Sequence, residues 1–224
     1  PPFPDRQEFD IYATMDPAKE VGGDFYDFFL VDDKHLALVI SDVSGKGVPA
    51  ALFMVIAKTL IKNQTQPDVS LGEVFTRVND QLCENNAEGM FVTSFMAVLD
   101  LDTLELTYVN AGHNPPVLRR NNGEFSFLKI NPGFVLAGLE GMMYKEDKIS
   151  LAKGDRLFLY TDGVTEANNP SGELFGDDRL LESLNKNATL PLDQLLGGVK
   201  ASMDAFSAGA EQFDDITMMV LEVR

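Results

Sequence analysis

The chain has 224 residues, enough for one large domain, and its 45% hydrophobic and 24% charged residues are the balance of an ordinary folded protein. It carries 35 Asp and Glu against 18 Lys and Arg, a net charge of −17, which argues against nucleic acid or an anionic membrane surface as a partner, since both require a basic face. The single cysteine, Cys83, and the two histidines, His35 and His113, exclude an internal disulfide framework, a cysteine-built zinc site and a histidine-rich metal site.

In chain order, residues 9–15 read as a strand. Residues 25–31 and 35–41 read as a hairpin about Asp32-Asp33, and the second strand, nearly continuously apolar, is expected to end at Asp42. After a loop with Gly45 and Gly47 comes VPAALFMVIAKTLIKNQ, with Pro49 in a first helical turn. Apolar residues nearly encircle this helix, which predicts deep burial. Residues 71–86 have helical spacing (Leu71, Val74, Phe75, Val78, Leu82) with Ser70 as N-cap. Hairpins follow at 93–101 with 104–110, and at 116–120 with 124–130 about Asn122-Gly123. A strand at 156–161 runs into Asp162, helices cover 180–185 and 192–206, and a strand at 216–223 closes the chain. Hairpins without βαβ alternation predict an α+β domain with two largely antiparallel sheets flanked by helices. No repeat, linker, membrane span or signal peptide is visible, so residues 1–224 read as a single domain suited to a reducing cytoplasm. The start at Pro1 rather than Met reads as a domain cut from a longer protein.

The acidic residues with chemical promise lie in four short motifs: GGDFYD, SDVSGKG, YTDGVTEA and FDDIT. Asp42 and Asp162 each end an apolar strand, whereas Asp24 and the Asp214-Asp215 pair each precede one. Carboxylates gathered at strand ends repel one another and call for hard cations with oxygen preference, Mg²⁺ or Mn²⁺. Asp42 is the leading candidate to bridge two ions, with the Val43 carbonyl as a further ligand. Two ions on shared carboxylates suit phosphate-ester hydrolysis, since they polarise phosphoryl oxygens and activate water without a covalent intermediate. The alternatives are local: Asp42 as a turn cap, Asp24 and Asp27 as turn residues, Asp214-Asp215 as a plain turn. Lys46 in GKG does not mark a phosphate loop, because Ile40 and Gly47 stand where that pattern needs Gly and Ser or Thr. Cys83 reads as packing, His35 as a surface residue, and His113 as shaping its Pro-Pro loop, with general acid as the alternative.

GGDFYDFF, ISDVSGKGVPAALFM, NAGHNPP, YTDGVTEA and FDDITMMV, in this order, resemble the bacterial SpoIIE/RsbU-type branch of the type 2C (PPM) metal-dependent Ser/Thr phosphatases. The resemblance implies a four-layer α-β-β-α sandwich with a two-ion Mn²⁺ or Mg²⁺ site. Asp42 would bridge both ions with the Val43 carbonyl on one, Asp162 and Asp214 would bind the other, and Asp24 would ligate directly or through water. Asp215 falls where relatives often carry Asn and ranks below Asp214. Ser44 stands where eukaryotic members carry a His, which argues against a His general acid there and leaves a metal-bound water to protonate the leaving group, and Lys19 lies near the place of their phosphate-binding Arg. The implied substrate is phosphoserine or phosphothreonine on a STAS-domain anti-anti-sigma protein. The helices at 48–62 and 71–86 would form a switch toward an upstream sensor or a homodimer interface. A catalytically silent, phosphatase-like binding module is the competing reading, and a two-metal nuclease conflicts with the charge.

Overall fold

The apolar runs pair as antiparallel neighbours in the computed structural model, which describes residues 6–84 and 86–224. The elements are β1 (Phe9–Asp16), β2 (Phe25–Leu30), β3 (His35–Val43), α1 (Val48–Gln64), α2 (Leu71–Glu84), β4 (Val92–Asp100), β5 (Glu105–Ala111), β6 (Val117–Arg119), β7 (Phe125–Phe127), β8 (Asp147–Ser150), β9 (Arg156–Tyr160), α3 (Asp162–Thr165), α4 (Gly176–Lys186), α5 (Leu192–Ser207) and β10 (Ile216–Val223). Among the described residues they form two antiparallel five-stranded sheets accompanied by five helices. The contacts divide the described chain into two compact units: one of Lys19–His113 and Ile130–Leu151, the other of residues 6–18, Asn114–Lys129 and Ala152–Arg224.

The first unit holds the sheet β2-β3-β4-β5-β8 with α1 and α2. Strands place alternate residues on opposite faces. Ala37, Val39 and Val43 of β3 accordingly meet Phe53, Ala57, Val74, Phe75 and Val78 of the two helices in one apolar core. Ser70 caps α2, its hydroxyl accepting the Glu73 N–H at 3.2 Å. The second unit holds β1-β10-β9-β6-β7 with α3, α4 and α5. Phe158 and Tyr160 of β9 and Met218 and Val220 of β10 pack there against Leu180, Leu184, Leu195 and Val199.

The structure departs from the sequence reading in several places. Strand β3 does not stop before Asp42; pairing continues through Asp42↔Thr93 and Val43↔Val92. Helix α1 is not buried all round: Ala50, Phe53, Ala57 and Ile61 face the core, whereas Leu52 is 63% exposed and Val48, Val55 and Ile56 are exposed beside it. Hydrophobicity alone cannot say whether a neighbour covers a given helix face. Strand β8 escaped the reading because DKIS is an edge strand, paired to β5 alone and too polar to alternate. The predicted helix at 71–86 ends at Glu84, and Asn85 lies outside the described residues.

Candidate metal centre

In the first unit the site begins at the β2–β3 hairpin. The register pairs Phe25 with Ser41, so the next step sets Asp24 opposite Asp42 and Gly23 opposite Val43. A Cβ built on Gly23 would stand 2.8 Å from the Val43 carbonyl oxygen, so the backbones approach this closely only because residue 23 lacks a side chain. Asp24 is 2% exposed and Asp42 is half-buried. Alternation turns Asp42 to the sheet face opposite that of Val43, away from α1 and α2.

The neighbours of Asp42 are ordered. Thr93 lies directly across from it, and the Thr93 hydroxyl is 2.9 Å from His113 Nδ1. His113 is buried, its N–H donates to Asn110 Oδ1 at 2.8 Å, and Asn110 Nδ2 donates to the His113 carbonyl at 2.9 Å. His113 thus shapes its loop, as the sequence suggested. Ser44 is also a loop clamp: its hydroxyl accepts the Phe91 N–H and its own N–H donates to the Phe91 carbonyl, both at 2.9 Å. Asp27 points away from Asp24, as odd spacing along an extended chain requires, and is 3.3 Å from Lys62 Nζ of α1. Lys19 is exposed in a bend between β1 and β2, and Lys46 is exposed in the loop after β3.

In the second unit the site is the junction of β9, α3 and β10. The Thr161 N–H donates to the Thr217 carbonyl, and the Thr217 N–H donates to the Thr161 hydroxyl, each at 3.0 Å. The chain then turns at once into α3, so half-buried Asp162 opens a short helix rather than a simple turn. Gly163 follows, and a Cβ there would lie 2.0 Å from the Asp215 carbonyl oxygen. That contact seats the start of α3 on the Asp214-Asp215 backbone. Asp214 is half-buried, and its Oδ1 accepts the Asp215 N–H at 2.9 Å. Asp215 is buried, and its Oδ1 accepts the Ala18 N–H at 2.8 Å, a structural tie across the sheet end. Glu166 is exposed at the end of α3. Burial, and after it the Asp177 charge, push the Tyr160 phenol well above its ordinary range, so Tyr160 stays protonated near neutral pH.

The candidate ligands therefore fall into two groups by unit: Asp24, Asp42 and Val43 in the first, Asp162, Asp214 and Asp215 in the second. Among the described residues no three His, Cys, Asp or Glu side chains are gathered into a ready metal cage. The donor set nonetheless fits Mg²⁺ or Mn²⁺, because every donor is a hard oxygen and two glycines bring backbone carbonyls close. A carboxylate buried as deeply as Asp24 also requires a cation or several donors about it. The sequence drew attention to the acids but missed the steric role of Gly23 and Gly163. Their only signal was adjacency, in GGD and TDG.

Gly23→Ala is expected to push the Val43 carbonyl out of place without backbone strain, since residue 23 is not in the left-handed region. Calorimetric Mn²⁺ titration should show a ~10–100-fold loss of affinity, the usual cost of disturbing a ligand's support. Unchanged affinity would show that this carbonyl is not a ligand.

The fold has counterparts of known structure. A serine/threonine protein phosphatase catalytic domain, PstP, solved with two manganese ions, aligns with a TM-score of 0.68 at 18% identity over 96% of this chain and 98% of that one. The SiaA-PP2C domain of Pseudomonas aeruginosa aligns with a TM-score of 0.84 at 22% identity over 96% of this chain and 86% of that one. The fold is thus that of the PP2C-type phosphatases. Within that class, the profile for Stage II sporulation protein E (SpoIIE) matches residues 32–224, and the chain belongs to the SpoIIE family. Protein IcfG of Synechocystis sp. is 34% identical over 98% of this chain and 38% of its own length. Phosphoserine phosphatase RsbU of Bacillus subtilis is 29% identical over 97% of this chain and 64% of its own. The chain spans less than two thirds of either relative.

Proposed function

We propose that this chain is the catalytic domain of a metal-dependent phosphoprotein phosphatase that acts on phosphoserine or phosphothreonine. The observation that carries the reading is the placement of the motif acids at strand ends, with Asp24 beside Asp42 and Asp162 beside Asp214, each group set by a glycine that a Cβ would spoil. The RsbU relative, named a phosphoserine phosphatase, supports the substrate class. Two Mn²⁺ or Mg²⁺ ions, when bound, would supply Lewis-acid polarisation of the phosphoryl group and a more acidic water. Asp42 would bridge them, with the Val43 carbonyl on one; Asp162 and Asp214 would hold the other, and Asp24 would ligate directly or through water. Exposed Lys19 would draw the phosphate electrostatically. Ser44, engaged with Phe91, is held as loop structure rather than as a proton donor.

The substrate in this reading is a phosphorylated STAS-domain anti-anti-sigma protein in the cytoplasm. Among the described residues no helix is long and apolar enough to cross a membrane. The exposed α1 face (Val48, Leu52, Val55, Ile56) would receive an upstream module or a second copy. From there Lys62, paired with Asp27, and Lys58, donating to the Tyr26 carbonyl at 3.1 Å, would carry the effect to β2 next to Asp24.

The test is hydrolysis of a chromogenic aryl phosphate with Mn²⁺, with and without chelator. Turnover that chelator abolishes and Mn²⁺ restores is the expected result. Metal-independent turnover would overturn the mechanism, and Mn²⁺ binding without turnover, even on phosphorylated STAS protein, would identify a silent binding module.

A further inference from the structure

In the loop between α5 and β10, the side chain of Gln212 uses both protons of its amide nitrogen. One goes to the Asp16 carbonyl and one to the Asp214 carbonyl, each at 2.8 Å. Asp16 is the last residue of β1 and pairs with Ile216, the first of β10. Gln212 therefore adds a side-chain rung where the backbone ladder of β1 and β10 stops. Ala18 donating to Asp215 Oδ1 adds another on the same side. Between them these contacts hold the Asp214 carbonyl and the Asp215 side chain, the groups that follow the Asp214 side chain along the loop. Residues 208–215 lie outside helix and strand and pass through left-handed backbone at Ala208 and Gly209, so the loop carries no ladder of its own.

We infer that Gln212 is a positioning residue for Asp214: a double-donor clasp between the exit of β1 and the metal-ligand loop. The inference rests on the reading of Asp214 as a metal ligand, and its contribution is to assign what fixes that ligand before any ion arrives. A carboxylate presented from a pinned backbone binds without first ordering the loop. The chemistry needed at residue 212 is specific, since two carbonyl oxygens face one group, which must therefore donate twice and accept nothing. Gln212→Glu keeps the shape and sets a carboxylate against both carbonyls. Gln212→Lys keeps a donor-only terminus long enough to reach them.

The experiment measures three things on the 224-residue chain carrying Gln, Glu, Ala or Lys at residue 212. They are Mn²⁺ affinity by calorimetry, hydrogen exchange of the Ala18 and Asp215 amides without metal, and thermal unfolding without metal. Gln212→Glu and Gln212→Ala are expected to weaken Mn²⁺ binding ~10–100-fold and to speed exchange of the two amides, with Lys restoring much of both. Retained affinity and retained protection in the Glu and Ala chains would overturn the inference. So would a loss in Gln212→Lys as large as in Gln212→Ala, or a loss accounted for by global unfolding. If the unsubstituted chain binds no Mn²⁺, the metal reading of Asp214 fails, and amide protection alone then decides whether the clasp exists.

Discussion

Asp42→Asn is expected to lower Mn²⁺-dependent hydrolysis of an aryl phosphate by ~10²-fold or more while leaving the fold intact. Asn matches Asp in shape, and residue 42 sits within the β3–β4 pairing, so the backbone ladder does not depend on its charge. The charge is what a cation would use, and its loss forfeits several kcal/mol of transition-state stabilisation. A second consequence has the opposite sign. Asp24 precedes β2 and stands one step beyond the Phe25↔Ser41 pair, on the side of Asp42, and neighbouring like charges disfavour the fold. Without metal, the Asp42→Asn chain should therefore melt at the same temperature as the unsubstituted chain or slightly above it. The loss of activity and the gain of apo-stability belong together, as expected where a site is built for function at a cost in stability. Steady-state kinetics with paired melting curves would check both. Undiminished turnover would remove Asp42 from the site.

Gly163→Ala is expected to be the most destabilising single methyl that could be added to the second unit's site. The new Cβ would lie 2.0 Å from the Asp215 carbonyl oxygen and 2.9 Å from its carbon, distances that backbone cannot absorb as a flexible side chain could. The opposing segment is itself tied down through Gln212 and through Ala18. Overpacking of this kind costs ~1–3 kcal/mol and more where nothing yields. Whatever does yield carries Asp214 with it, so Mn²⁺ affinity should fall as well. Gly197→Ala in α5 is the control: nothing lies within 4 Å of its Cβ, and the better helix former should stabilise by ~0.5–1 kcal/mol. Urea unfolding should show the midpoint falling for the first and rising for the second at constant slope. Equal midpoints for Gly163→Ala and the unsubstituted chain would contradict this packing.

The sheets and most of the helices were legible because their signals are local. β10 is a nearly continuous apolar run bounded by Asp215 and Arg224, and its predicted span matches the observed one. The hairpins β2–β3, β4–β5 and β6–β7 announced themselves by short polar turns between apolar strands. α2 was plain from its spacing of Leu71, Val74, Phe75, Val78 and Leu82. What failed was what depends on a partner. The composition of α1 shows an apolar helix but not that Leu52 and Val55 stand exposed among the described residues. The polar strand β8 exists because β5 offers it an edge.

The same division runs through the site. The sequence by itself determined that hard carboxylates stand next to strand ends, since an apolar run followed or preceded by Asp is a property of neighbouring residues. Only the tertiary structure decided that Asp24 stands beside Asp42, that Gly23 and Gly163 are held to their identity by the distant carbonyls of Val43 and Asp215, and that a glutamine near the end of the chain grips the last residue of the first strand. These are facts of register and close approach, and they arise only when residues far apart in the chain are brought within a few ångströms of one another.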